Sequence, residues 1–325
     1  MARPLASIVN KPTSEAVTKA AHQLKEGGLV AFPTETVYGL GACAFNETAV
    51  ANIFAIKGRP SSNPMIVHVA SSREAPNIAA GWDARCEALA ARFWPGPLTI
   101  VTKRDRRVPP LVTGGRDTVA LRAPSHPVAQ ALLSAVGEPL AAPSANRSGH
   151  ISATTAQHVA DDFSEASLLI LDGGATDVGI ESTVVDVSGP IGEPINILRQ
   201  GSILASDIEM VVGRVCVSHA ITQNASPGTS AKHYAPCVPL RIVHADHLDE
   251  ALSQTNDRMS VLVFRKNSVP SPHLEVVMPT LPAEYGKVLY EQLRLGEASD
   301  GIVVVAPPTG EQWDAIHDRL SRASD

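Results

Sequence analysis

The sequence predicts an α/β protein built from two units. Three observations carry that expectation. Short apolar runs alternate with segments of helical period over the first two hundred residues. The alternation weakens from about Arg214 to Pro239, and a shorter α/β pattern resumes beyond it. A length of 325 residues allows about two domains at roughly 150 residues each. Apolar residues are 44% of the chain and charged residues 18%, enough for a core and unlike a disordered chain. The formal charge of −6 excludes a globally basic nucleic-acid binder, so any such contact is local. No apolar run approaches the ~18 residues of a membrane span, and the start lacks a secretory signal's apolar stretch. Cys43, Cys86, Cys216 and Cys237 are too scattered for a disulfide framework. A soluble protein of the cytoplasm, without a membrane partner, is expected.

The elements follow in order. Residues 29–32 read as a buried strand. A helix opens at Asn46, a good N-cap, carries Val50, Ile53 and Phe54 on one face, and has Gly58 just past its end. Residues 65–69 form the next strand. Cys86, Leu89 and Phe93 keep a helical period until Trp94-Pro95-Gly96-Pro97 stops it. Strands at 98–101 and 118–121 precede a helix from about His126 that ends at Gly137. Further strands lie at 140–142, 168–171, 183–185 and 195–198. Ser206 with Glu209 suggests a capping box for a short helix ending near Gly213. Ser218, Asn224, Ser226, Pro227, Gly228, Thr229 and Ser230 mark a linker. Beyond it come strands at 240–243 and 260–264, a helix at 285–293, a strand at 301–305, and a last helix with Trp313, Ile316 and Leu320 on one face. The expected division is 1–213, a linker 214–238, and 239–325.

Several common sites are excluded. The chain has no GxxxxGK[ST] loop, GxSxG elbow, HExxH helix or EF-hand loop. Gly39 to Ala44 fits GxGxxA, but Thr34 to Tyr38 separate it from the preceding strand, and Lys57 and Arg59 stand where an acid belongs; a tight turn explains the glycines. Cys216, His219, His233 and Cys237 have near-zinc-finger spacing, yet the chain has core enough without a metal, and none is expected. The basic run Lys103, Arg104, Arg106, Arg107 reads as a solvated loop.

Four segments look like a site instead. Residues 33–40 leave a buried strand with hydroxyls, a carboxylate and glycines. Residues 57–64 place an ammonium and a guanidinium two apart in a Gly/Pro-stiffened loop, a grip for phosphate oxygens. Residues 142–149 offer small residues with Ser and Asn donors. Glu181-Ser182-Thr183 with Arg199 is the fourth. His68 and Arg122 lie inside apolar strand patterns, where ionisable groups need partners or a function.

Phe32 to Leu40, Lys57-x-Arg59-Pro60, Phe93 to Thr99, Pro143 to Asn146 and Glu181 to Val184 together resemble the YrdC-like domain of threonylcarbamoyl-AMP synthases. Pro227-Gly228 with Lys232 to Pro236 resembles the linker of the two-domain members, and Ala315-Ile316 with Asp318-Arg319-Leu320 and Ala323 the end of their C-terminal domain. The resemblance implies an open, twisted mixed sheet followed by a smaller Rossmann-like α/β domain. It implies synthesis of L-threonylcarbamoyladenylate and pyrophosphate from L-threonine, bicarbonate and ATP, with Mg²⁺ carried on the ATP. Downstream tRNA threonylcarbamoyl-transferase proteins would use the product, and a weak tRNA contact is allowed. Lys57, Arg59, Ser144 and Asn146 match the catalytic positions. Those four with Asn63, Thr118, Ser152, Arg199 and Tyr234 match the ATP contacts. Thr36, His68, Arg122, Ala142 and Ser182 match the threonine pocket, with Arg122 on the substrate carboxylate and Tyr234 in a lid. The alternative is a non-catalytic RNA-binding module. A hydrogenase-maturation relative is disfavoured, because acylphosphatase-like and zinc-finger regions are not found ahead of residue 30.

Overall fold

The computed structural model describes residues 8–217, 234–266 and 268–324. It opens with β1 (Ile8–Asn10), α1 (Ser14–Lys25), β2 (Val30–Phe32) and β3 (Gly39–Cys43), then α2 (Glu47–Lys57) and β4 (Ile66–His68). Next come α3 (Ala84–Phe93), β5 (Leu98–Lys103), α4 (Pro110–Thr113), β6 (Thr118–Arg122), α5 (Pro127–Val136) and β7 (Leu140–Ala141). The first unit ends with α6 (Ala156–Asp162), β8 (Leu169–Leu171), β9 (Thr183–Asp186), β10 (Ile195–Arg199), α7 (Ala205–Val212) and β11 (Val215–Val217). Its strands form one mixed sheet in the order β1-β8-β2-β3-β7-β4-β6-β5-β9-β10-β11. β4 runs parallel to β6, whereas β2–β3 and β5–β6 are antiparallel. The expected mixed α/β fold is present.

The second unit comprises β12 (Leu240–Val243), α8 (Leu248–Ser253), β13 (Met259–Val263), β14 (Leu274–Val277), α9 (Pro282–Gly296), β15 (Gly301–Val305) and α10 (Glu311–Ala323). Its described strands form a parallel sheet ordered β12-β15-β13-β14. Parallel sheets bury both faces, which fits the continuous apolar runs of β13 and β15. Trp313, Ile316 and Leu320 are buried on α10 as their spacing predicts. This core does not stop at the boundary between the units. Val37, Ile151, Ile180 and Tyr234 pack in the same apolar cluster as Tyr285, Leu289, Tyr290 and Ile316.

Three local expectations need correction. Gly39–Cys43 is a strand, not a tight turn: a Cβ on Gly41 would lie 2.7 Å from the Phe32 ring, so the absence of a side chain lets β2 and β3 pair beneath that ring. The capping box at Ser206 is absent. Ser206 lies inside α7 and donates its N–H and Oγ to Glu311 of α10 at 2.8 and 3.0 Å, while Asp207 accepts the Leu204 N–H. Val215–Val217, read as linker, pairs with β10. The Pro227-Gly228 and Lys232-His233 motif residues, and His219, lie outside the described residues.

The start of α2 is as the sequence predicts: the Asn46 side chain accepts the Ala49 N–H at 3.0 Å. Because an N-cap side chain satisfies an otherwise orphaned donor, Asn46→Ala should lower unfolding free energy by about 1 kcal/mol. A urea midpoint unchanged by that substitution would show that the cap adds nothing.

Candidate active site

The site begins with a turn. Thr34 Oγ1 donates to the Val37 carbonyl at 2.6 Å and accepts the N–H groups of Thr36 and Val37. That folds residues 33–38 back so that β3 returns beside β2, leaving Glu35 and Thr36 at the ends of the strands. His68 and Arg122 end the parallel strands β4 and β6 and are register partners there. Carboxyl ends of parallel strands are where open α/β sheets bind ligands. Arg122 donates to Thr36 Oγ1 at 2.8 Å and to the Gly96 carbonyl at 3.2 Å, and it lies 2.8 Å from Glu35 Oε1. The partner that a buried Arg122 needs is Glu35, the carboxylate of the 33–40 segment, to which sequence reasoning assigned no role of its own. Glu35 is held in turn by the Ser125 N–H at 3.1 Å.

The basic pair divides its work. Arg59 reaches the cavity and donates to the Pro64 carbonyl at 2.9 Å. Lys57, the last residue of α2, is buried behind the 142–149 loop. Its ammonium donates to the Ser144 carbonyl at 2.7 Å and to the Asn146 carbonyl. Burial, with the Arg59 charge beside it, holds the Lys57 ammonium well below the usual lysine range. Burial likewise lowers Arg59 to about 10. Asn146 donates to the Arg147 and His150 carbonyls and closes the loop. Lys57 and Asn146 thus fix the loop that presents Ser144.

The opposite wall is the 181–183 segment. Ser182 Oγ lies 2.7 Å from Thr99 Oγ1, and Arg199 donates to the Ser182 carbonyl and hydroxyl at 3.0 and 3.1 Å. A Cβ on Gly201 would fall 2.4 Å from the Thr183 nitrogen and 2.7 Å from the Glu181 carbonyl, so only glycine lets the chain after β10 lie this close. The Glu181 carboxylate accepts from Ser152 Oγ (2.6 Å), Tyr290 OH (2.9 Å) and Arg319 Nε (2.8 Å). Burial alone would raise its pKa, but Arg319 and Arg199 hold it down at about 2. Tyr234, the first described residue after the linker, sits in the left-handed region at φ 63° with its ring stacked on Tyr290. Packing on both faces holds this unfavourable conformation.

These walls enclose a narrow cavity that opens to solvent. All five residues assigned to the threonine pocket line it: Thr36, His68, Arg122, Ala142 and Ser182. Arg59, Ser144, Arg199 and Tyr234 line it as well. Lys57, Asn146 and Ser152 stand behind the wall, and Asn63 is buried away from it. Thr118 is at the far end of β6 from Arg122, four residues or about 13 Å along the strand. Glu35 Oε1 and Arg122 Nη2 satisfy each other at 2.8 Å, but Arg59 Nε and His68 Nδ1 are buried without a hydrogen bond. Such atoms cost about 1–3 kcal/mol each, and their concentration here marks a place built for a polar ligand. Three guanidiniums against two carboxylates favour an anion.

The basic run is engaged within the first unit: Arg104 donates to the Arg116 and Val108 carbonyls, and Arg107 pairs with Asp105. Cys216 and Cys237 are exposed free thiols, and among the described residues no group of three or more His, Cys, Asp or Glu is placed to hold a metal. Among the same residues no helix is long and apolar enough to cross a membrane.

A cationic cavity at the strand ends of an open mixed sheet, with a smaller parallel α/β unit braced against its Glu181 wall, makes this an α/β protein with a small-molecule site. Comparison with known proteins specifies which. The family model described as "Telomere recombination" matches residues 22–201, and that of the threonylcarbamoyl-AMP synthase C-terminal domain matches residues 203–325. The chain is 46% identical to the threonylcarbamoyl-AMP synthase of Pyrococcus abyssi, with 94% of this chain and 93% of that one covered. It is 39% identical to the Bacillus subtilis threonylcarbamoyl-AMP synthase over 95% and 92%. A structure of P. abyssi Sua5 complexed with L-threonine superposes with a TM-score of 0.88 at 35% identity, covering 98% of this chain and 97% of that one. The chain belongs to the threonylcarbamoyl-AMP synthase family.

The site predicts a pH dependence. Burial, aided by Arg122, pushes the His68 imidazole down to about 3, so it is neutral near pH 7. Burial lowers His158 to about 4 and lowers His126 as well. The unfolded chain takes up these protons near pH 6.5 and the folded chain does not, so stability falls as pH drops below about 6.5. Glu181 adds to the fall only in a lower window, from 4.5 to about 2. His68→Gln should shrink the loss of Tm between about pH 7 and about pH 5, leaving the share due to His126 and His158. An unchanged loss would mean that His68 takes up its proton as readily in the folded protein as in the unfolded chain.

Proposed function

We propose that this cavity forms L-threonylcarbamoyladenylate and pyrophosphate from L-threonine, bicarbonate and ATP, a nucleotidyl transfer that supplies threonylcarbamoyl groups for tRNA modification. The observation that carries this reading is the convergence of four separated segments on one cavity with three guanidiniums. Family membership supplies the chemistry, and the relative whose structure was determined with L-threonine supports that substrate.

In this reading Arg122 pairs with the amino acid's carboxylate, while Thr36, Ser182 and the neutral His68 face its hydroxyl. A pocket that hydrogen-bonds a substrate hydroxyl rejects analogues lacking it strongly. Serine, short only of a methyl, is rejected by about 1–3 kcal/mol. The threonine amine takes up carbon dioxide from bicarbonate with loss of water, giving a carbamate. A carbamate oxygen then attacks the α-phosphorus of ATP, and the bond to the pyrophosphate oxygen breaks. Arg59 and Arg199 neutralise phosphate charge, which is most of what a protein contributes to such a transfer. Ser144, held by Lys57 beneath its loop, faces the same phosphates. Both nearby carboxylates are engaged by guanidiniums, so Mg²⁺ enters as the MgATP substrate on phosphate and water ligands. The carbamate is labile in water, and the Tyr234 ring walls the cavity beside it. Partner proteins of the cytoplasm then carry the group to tRNA.

Arg59→Ala should lower threonine- and bicarbonate-dependent pyrophosphate release about 10²-fold or more, with the circular dichroism spectrum unchanged. Equal rates for that variant and the wild type would remove Arg59 from the mechanism. Wild-type protein that releases no pyrophosphate with all three substrates would overturn the reading as a whole.

A further inference from the structure

The second unit reaches the cavity wall at Glu181 through two side chains, Tyr290 of α9 and Arg319 of α10. Arg319 lies on α10, fully buried, 138 residues beyond the segment it contacts. Its Nε donates to Glu181 Oε2 at 2.8 Å, and its Nη2 donates to the main-chain carbonyl of the same residue at 3.3 Å. Two contacts of this kind fix both the carboxylate and the backbone of Glu181, which a lysine's single ammonium does not reproduce. Its remaining nitrogen, Nη1, pairs with Asp318 at 2.7 Å, which locks the guanidinium plane. That plane lies over the Tyr234 ring, 5.4 Å from its centre, and Tyr234 stacks on Tyr290, whose hydroxyl donates to Glu181. Glu181 in turn holds Ser152, and Ser182 beside it is gripped by Arg199.

We propose that Arg319 is a positioning residue for the nucleotide half of the cavity: through the Glu181 carboxylate and the Tyr234 ring it sets where Ser152, Arg199 and Tyr234 stand, and so sets the affinity for ATP. The inference rests on the nucleotide reading given above. Ser182 adjoins Glu181, but the rest of the amino-acid half has its own support. Arg122, Thr36 and His68 are tied to Glu35, Gly96 and the β4–β6 pair, none of which touches Arg319. Arg319 therefore acts unequally on the two substrates. A residue that merely held the units together would, when replaced, reduce the amount of active protein and leave both KM values alone.

The test uses the full chain, with ATP affinity measured by calorimetry and KM values by pyrophosphate release. Arg319→Gln should weaken ATP binding and raise the KM for ATP at least tenfold, while the KM for L-threonine changes less than threefold. Arg319→Lys should fall between that variant and the wild type. An unchanged ATP affinity, or equal weakening of both substrates, would overturn the proposal. Should Arg319→Gln not fold, Tyr290→Phe decides, because it removes one donor to Glu181 and keeps the ring. A threefold or larger loss of ATP affinity supports the proposal and none overturns it. Wild-type protein that binds ATP without releasing pyrophosphate would defeat the proposed reaction, whereas the affinity comparison would still judge Arg319.

Discussion

Glu181 is a buried carboxylate, and the shape of the cavity depends on how that charge is satisfied. Three donors from three parts of the chain converge on it: Ser152 from the loop before α6, Tyr290 from α9 and Arg319 from α10. A buried carboxylate stripped of its partner charge costs about 3–5 kcal/mol, so none of these elements can move independently of the others. The next residue is Ser182, clasped by Arg199 and Thr99, and the chain behind it is pressed close by Gly201. The Arg319–Glu181 ion pair thus ties the smaller unit to the cavity wall of the larger one, and Arg294 with Asp162 joins the units a second time. The shared apolar cluster of Val37, Ile180, Tyr234 and Tyr290 surrounds that pair with a low-dielectric shell, which strengthens it.

The far wall solves a related problem in a different way. Arg59, Arg122 and Lys57 are cations packed among apolar strands and loops, and each is held by backbone carbonyls or by one carboxylate. Such an arrangement places positive charge where it need not reorganise when an anionic ligand arrives, which is the physical basis of electrostatic catalysis. His68 contributes a neutral ring because burial and Arg122 both oppose its protonation. Charge and hydrogen-bonding capacity are therefore separated within a few residues of the same sheet.

Much of this was legible in the residues. The helix from Asn46 to Gly58 carries its start and stop signals locally, and the buried strands announce themselves by continuous apolar runs. α1 escaped although Val17, Ala20, Ala21 and Leu24 keep a helical period and are its buried stripe. β14 escaped because it is an edge strand with Leu274 and Val277 exposed, so it has neither alternation nor a long apolar run. The motif segments identified the cavity's residues, since nine of the positions they named line it. What they left out is long-range in origin. Glu35 matters because it faces Arg122 from the turn between β2 and β3. Lys57 turned out to brace the loop rather than face the cavity, and Glu181 gains its role from helices more than a hundred residues away. No local pattern encodes a partner that arrives from the far end of the chain.

The central claim is that an amino acid and a nucleotide share this one cavity, with the carboxylate at Arg122 and the phosphates at Arg59 and Arg199. A crystal structure of the full chain with L-threonine and a non-hydrolysable ATP analogue tests it most directly. The account predicts both ligands between the Ser144 loop and the Glu181–Ser182 wall, with the α-phosphorus on the amino side of the threonine and Tyr234 beside the nucleotide. Density for the two ligands in separate places, or for threonine away from Arg122, would contradict it.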